Sequence, residues 1–304
     1  MDRSPITEGQ ILKNDLELLA YLRGFRVLTV SQLADLSQRS PQVIRRRLRV
    51  LAAEGLIVAR QRAYGNRRGR PEDLVLLTRN GWRAIHGGKL DKPKDLQDEK
   101  AAASYLVDHE LLLNWTLIHL IRIERRFPQF TVQYVTQYFS SIEANTPATS
   151  LTRIRVPDKS GEVTFVPDSI FIISDTPSKK SLLFFLEVDM GTETVISPKK
   201  GLNDIRQKIL NYQNLYRSSR YKRFEGCFKS AFKGFRLLIV TSTAARFTRL
   251  CQLTASMPPS DFIWLTNQDR MFTSGLSAAI WARGGRSDNA GQSILGTRLV
   301  QDRP

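Results

Sequence analysis

Two cysteines, Cys227 and Cys251, are too few for a disulfide framework or a cysteine-built zinc site. The three histidines, His86, His109 and His119, are scattered on predicted helices, which argues against a histidine metal cluster. No apolar run is long enough to span a bilayer, and the polar first ten residues do not read as a signal peptide. No lipidation signal stands beside a basic amphipathic helix. A cytoplasmic protein with no membrane insertion is therefore expected. Acidic residues are also in short supply, 29 against 46 Lys and Arg.

The resulting net charge of +17 favours a polyanionic partner, and nucleic acid is the commonest one. The excess is uneven: residues 1–94 hold 19 basic and 9 acidic side chains, more than half of the net charge in the first third. With 304 residues, the chain has room for two domains. The composition shifts suggest a DNA-binding domain over 1–90, a polar, proline-containing linker over 91–97, an α/β (α+β) domain over 98–284 and a tail over 285–304.

Within the first domain the apolar periodicity predicts helices near 14–24, 29–36 and 41–54. Ser40 is an N-cap, Pro41 occupies the first helical position and Gly55 ends the third helix. At 100° per residue Ile44, Leu48 and Leu51 share the core face. Gln42, Arg46 and Arg49 fall opposite, with Arg45 and Arg47 on the flanks. An outward arginine face after a short turn is the layout of a recognition helix, with arginine matched to guanine and Gln42 to adenine in a major groove. Two short strands follow, joined by a glycine-rich basic loop. Arg62 at the end of the first strand and Arg67, Arg68 and Arg70 in the loop would meet phosphates or a minor groove. This pattern resembles the winged-helix superfamily, so double-stranded DNA is the expected partner.

The second domain carries the chemistry. A long helix over 98–126 includes His109 and Glu110, and His109 reads more simply as a hydrogen-bonded boundary residue. Predicted strands follow over 131–139, 153–156 and 162–173, then one ending in Glu187-Val-Asp189, a helix over 198–216, a strand over 235–241, a helix over 244–255, a strand over 261–266 and a last helix near 274–283. Asp168, preceded by Pro167, lies nineteen positions before Glu187, and both grow out of strongly apolar runs. Carboxylates are seldom buried without a partner, and three of them (Asp168, Glu187, Asp189) at a sheet edge suit Mg²⁺ or Mn²⁺. Such an ion activates water and steadies the charge of a phosphodiester under attack. In a simpler alternative, Glu187 and Asp189 are ion-paired to neighbouring Arg or Lys.

The strand order resembles the restriction-endonuclease-like fold, whose nucleases carry an acidic residue and then (Asp/Glu)-x-Lys on adjacent strands. Asp168 and Glu187 match the two acidic positions, and Asp189 stands where the lysine is usual. Lys208, four residues before Tyr212 on the following helix, is the candidate substitute. Lys199 and Lys200 at that helix start suit phosphate binding equally well. Asp189 then becomes a third metal ligand and Glu110 a fourth. Over nearly its whole length the chain resembles the replication-relaxation family of mobile-element proteins. The residues that carry this are Gly55-Leu-Ile, Leu77-Thr-x-x-Gly81, His109-Glu110, Val166-Pro-Asp168, Leu186-Glu-Val-Asp-Met-Gly-Thr-Glu193 and Lys208-Ile-x-x-Tyr212. The resemblance implies a relaxase-like endonuclease of plasmid conjugation or replication, nicking DNA at a transfer or replication origin with a divalent ion. The missing lysine motivates a rival reading, a non-catalytic winged-helix regulator or accessory factor with a degenerate nuclease-like domain. One-strand or two-strand cleavage, a homodimer and contacts with other mobilisation proteins stay open.

Overall fold

A computed structural model describes residues 13–62, 72–86, 104–142, 147–158, 161–195, 204–287 and 291–296. The chain is a mixed α and β protein that divides into two compact units, 1–118 and 119–304. The expected linker over 91–97 lies outside the described residues, and the division falls at residue 118.

The first unit runs α1 (Lys13–Phe25), β1 (Val27–Leu28), α2 (Val30–Ser37), α3 (Pro41–Ala53), β2 (Ile57–Arg60), β3 (Leu74–Leu77) and α4 (Arg79–Ile85). α5 (Ser104–Arg126) begins in it. The strands form an antiparallel sheet in the order β1-β3-β2. β1 was not foreseen, because two residues are too few to show alternation. A capping box between Thr29 and Gln32 starts α2, and Gln38 ends it in the left-handed region. Ser40 caps α3 with Pro41 at its start, and Ile44, Leu48 and Leu51 are its buried residues, as the periodicity predicts.

The Gly55-Leu-Ile and Leu77-Thr-x-x-Gly81 segments prove to be one joint. Thr78 donates its amide to Leu56 O at 3.0 Å and its hydroxyl to Gly55 O at 2.6 Å. A Cβ on Gly81 would sit 2.0 Å from Leu56 O, so only glycine fits there. α5 is tied to this unit by two buried amides. Gln32 donates to Leu111 O at 2.9 Å, and Asn114 donates to Phe25 O and Val27 O at 3.1 and 2.6 Å.

The second unit holds a six-stranded mixed sheet in the order β11-β10-β9-β8-β7-β4. Its strands are β4 (Phe130–Thr136), β7 (Ser169–Asp175), β8 (Lys180–Asp189), β9 (Phe235–Thr241), β10 (Ile263–Asn267) and β11 (Ala282–Arg283). β8 is central, antiparallel to β7 and parallel to β9. A short helix, α6 (Ala148–Thr152), precedes the hairpin of β5 (Ile154–Asp158) and β6 (Gly161–Phe165), which stands apart from the main sheet. The remaining helices are α7 (Ile205–Arg217), α8 (Phe224–Phe228), α9 (Ala244–Ala255) and α10 (Gln268–Ser274).

One face of the sheet, with Ile170, Ile172, Leu183, Phe185, Leu237 and Ile239, shares a core with Ile205, Ile209 and Tyr212 of α7. Two expectations are corrected. The single strand over 162–173 is two strands in different sheets, broken at Val166-Pro167-Asp168, because proline offers no amide to a ladder. The last helix near 274–283 ends at Ser274 instead, where Gly275 turns at φ +83°, and the chain returns as β11 against β10. Part of the tail is packed: Gln292 bridges to Trp281, and Ile294 is buried.

Candidate functional site

Strand pairing builds the acidic site. Ser169 lies opposite Leu186 in the antiparallel β7–β8 ladder, which sets Asp168 beside the end of β8. The Asp168 carboxylate accepts the Val188 amide at 2.7 Å and so bridges the two strands. Along β8, side chains alternate. Leu183 and Phe185 face the α7 core, and the same alternation turns Glu187 and Asp189 to that side, at 3% and 5% exposure. Two carboxylates two residues apart are thus buried together.

Each meets a different partner. Asp204 caps α7, accepting from the Gln207 amide at 2.7 Å. Lys208 and Tyr212, four residues apart, project from the same side of that helix. The Tyr212 hydroxyl donates to Glu187 Oε1 at 2.5 Å, and Lys208 Nζ lies 3.1 Å from Glu187 Oε2. Lys208 is also 3.3 Å from Glu193, on the loop after β8.

Asp189 is held instead by Arg246 of α9. Its Nε and Nη2 reach the two carboxylate oxygens at 2.5 and 3.0 Å, and Nη2 also donates to Glu193 O at 2.7 Å. Gly191, at φ +79°, turns the loop so that its own amide faces Asp189 at 3.3 Å. Arg246 therefore fixes the backbone of the residue whose side chain shares Lys208 with Glu187.

The electrostatics follow from burial. Removal from water pushes the Glu187 carboxyl up, Lys208 pulls it back, and Asp168 adds to the rise, leaving it at about 7. Burial pulls the Lys208 ammonium down, but Glu187, Glu193 and Asp168 outweigh it and hold its pKa above the usual value. Tyr212 is raised by burial and by Glu187, so it stays a neutral donor.

Of the predicted site residues, Asp168, Glu187 and Lys208 are brought together. Asp189 is beside them in sequence and is paired with Arg246. Glu110 belongs to the first unit, where it faces Arg26 at 3.8 Å, because α5 is anchored there on this stretch. Lys199 and Lys200 lie outside the described residues. Among the described residues, no group of three or more His, Cys, Asp or Glu is gathered to hold a metal ion. Mg²⁺ and Mn²⁺ commonly bind through one or two carboxylates and complete their shell with water and phosphate, and Asp168 and Glu187 are the carboxylates that would serve such an ion. Sequence reasoning missed Arg246. The signal was available in principle, since a Thr243-capped helix after β9 starts at the sheet edge where β8 ends.

In the first unit Gln42, Arg45, Arg46 and Arg49 are all exposed on α3. Arg47 turns inward to Asp15, at 2.8 and 2.5 Å, and Asp15 is fully buried. Arg62 is paired with Asp108. Arg67, Arg68 and Arg70 lie outside the described residues.

The family model for replication-relaxation proteins matches residues 19–230, more than two thirds of the chain. The chain belongs to the replication-relaxation family. Membership in the replication-relaxation family points to a role with DNA, in the replication or relaxation of plasmids or other mobile elements. The matched stretch takes in α2, α3, Asp168, Glu187 and Lys208 and stops before β9, so Arg246 lies beyond it. No curated protein matches this chain. No described helix is long and apolar enough to cross a membrane.

Proposed function

We propose that this replication-relaxation protein is a divalent-metal-dependent DNA endonuclease that nicks a site in plasmid mobilisation or replication. The observation that carries the reading is the meeting of Asp168, Glu187 and Lys208 at the end of the central strand. The two carboxylates would hold Mg²⁺ or Mn²⁺, whose chemistry is Lewis-acid polarisation of a phosphodiester and activation of water. Lys208 remains an ammonium, because the surrounding carboxylates raise its pKa. It therefore acts as a charge donor toward a phosphoryl or leaving oxygen and not as the base. Tyr212 holds one oxygen of Glu187 and fixes the carboxylate's orientation. Arg246 and Asp189 keep the following loop in place.

The element order α1-β1-α2-α3-β2-β3, with its antiparallel three-stranded sheet, supports a winged-helix reading of the first unit. Gln42, Arg45, Arg46 and Arg49 would then read base edges, with Arg62, Arg67, Arg68 and Arg70 near the backbone.

One observation favours the non-catalytic reading. Lys208 already pairs with Glu187, and Arg246 with Asp189, so two of the carboxylates find their cations within the protein. Calorimetric titration with Mn²⁺ and Mg²⁺ separates the two. Saturable binding by the wild type that disappears in Asp168→Ala and in Glu187→Ala is expected of the nuclease. It should be accompanied by conversion of a supercoiled plasmid carrying the cognate origin to open circles. A folded wild type that neither binds the ion nor nicks that plasmid is a DNA-binding accessory factor.

A further inference from the structure

The β5–β6 hairpin carries a basic surface that neither the acidic site nor the recognition helix uses. Alternation along β5 buries Ile154 and Val156 completely and leaves Arg153 and Arg155 exposed. The helical turn Arg220–Arg223, which precedes α8, adds charge at the same place. Arg220 donates to Arg155 O at 3.2 Å and pairs with Glu162 at 2.7 Å. Arg223 donates to Arg153 O at 3.0 Å and to Ser150 O at 3.3 Å. Lys222, between them, is exposed.

Four arginines and a lysine are thereby gathered on one surface, with Glu162 as the acidic side chain paired to them among the described residues. Like charges so placed repel one another. Arg220 and Arg223 are held to backbone carbonyls in this arrangement, so their position is set before any partner arrives. Planar guanidinium groups in fixed positions suit phosphate oxygens, and a polyanion that neutralises them releases its counterions. The hairpin also leads directly to the acidic pair. β6 runs into Val166-Pro167-Asp168, and Phe165 packs edge-on against Tyr212 with ring centres 4.9 Å apart.

We propose that this hairpin surface is a second, sequence-independent binding site for the phosphate backbone of duplex DNA, lying in the unit that holds the acidic site. The proposal rests on the DNA-binding reading and not on catalysis, so its test is run in EDTA. The probe is a random-sequence duplex of about thirty base pairs, titrated by fluorescence anisotropy between about 50 and 200 mM salt. The full chain is compared with Arg153→Ala/Arg155→Ala/Lys222→Ala, whose side chains hold none of the hydrogen bonds just described.

Three lost phosphate contacts should weaken binding roughly tenfold and make the salt slope shallower by about 2.7, at about 0.9 per contact. An unchanged affinity and slope in the folded triple variant overturns the proposal. Should the triple variant misfold, Lys222→Glu alone is expected to weaken binding roughly threefold, and no change there overturns the proposal equally. Arg45→Ala/Arg46→Ala/Arg49→Ala is the second arm. If it binds like the wild type while the hairpin variant is weakened, the hairpin site stands and the recognition-helix reading fails. A wild type that binds no duplex at any of these salt concentrations overturns both.

Discussion

α3 in the first unit and the end of β8 in the second both concentrate charge, and they treat it in opposite ways. On α3, Arg45, Arg46 and Arg49 are left in water, and Arg47 alone is drawn inward to a buried carboxylate. At β8, Glu187 and Asp189 are both taken out of water and each is given its own cation. An exposed charge costs the fold almost nothing and stays available to a partner. A buried charge binds its neighbours to one geometry, since an orphaned partner would be left in the interior. The first arrangement suits recognition of a large polyanion, and the second suits a site whose atoms must not move.

The comparison breaks most visibly at Arg246. Arg246→Ala leaves Asp189 buried without its partner and should cost about 3–5 kcal/mol, measured by chemical denaturation. A loss below about 1 kcal/mol would show that the carboxylate finds water and that the latch does not fix the loop.

Arg47 tests the exception on α3. Arg47→Ala orphans the fully buried Asp15 and should cost about 3 kcal/mol. Equal stability in Arg47→Ala and wild type would place this arginine with its exposed neighbours.

A pH titration sharpens the contrast at Glu187. Its carboxyl sits at about 7 when folded against a usual 4.5, so folding favours the protonated form. The stability this contributes is fully present below the usual value and is lost as pH rises through about 7. At about 1.4 kcal/mol per pH unit, the loss is about 3 kcal/mol. Measured in EDTA, Glu187→Gln should flatten that window. A wild type whose stability is level across it would contradict the burial argument.

The smallest effect is expected on the exposed face. Arg46→Ala should change stability by no more than about 0.5 kcal/mol while lowering affinity for duplex DNA. A stability loss as large as that of Arg47→Ala would erase the distinction between the two.

Much of the first unit was legible because its signals are local. Ser40, Pro41 and the Ile44-Leu48-Leu51 spacing fix where α3 starts and which side it buries, and a helix supplies its own hydrogen bonds. The run ending in Glu187-Val-Asp189 was equally plain as a strand, since alternation needs no distant information. β1 and α6 escaped for being only 2 and 5 residues long. The break at Pro167 was misread because both halves are apolar, and only pairing distinguishes one strand from two.

By itself the sequence determined that two carboxylates would leave β8 on the same side, that Lys208 and Tyr212 would share one side of a helix, and that α3 would turn Arg46 and Arg49 away from its core face. These are consequences of the periods of a strand and a helix. Only the tertiary structure decided which cation each carboxylate received. Arg246 reaches Asp189 across 57 positions because β9 runs parallel beside β8 and delivers α9 to the same edge. Ion pairing in the interior depends on distance through space, and sequence separation carries no record of it.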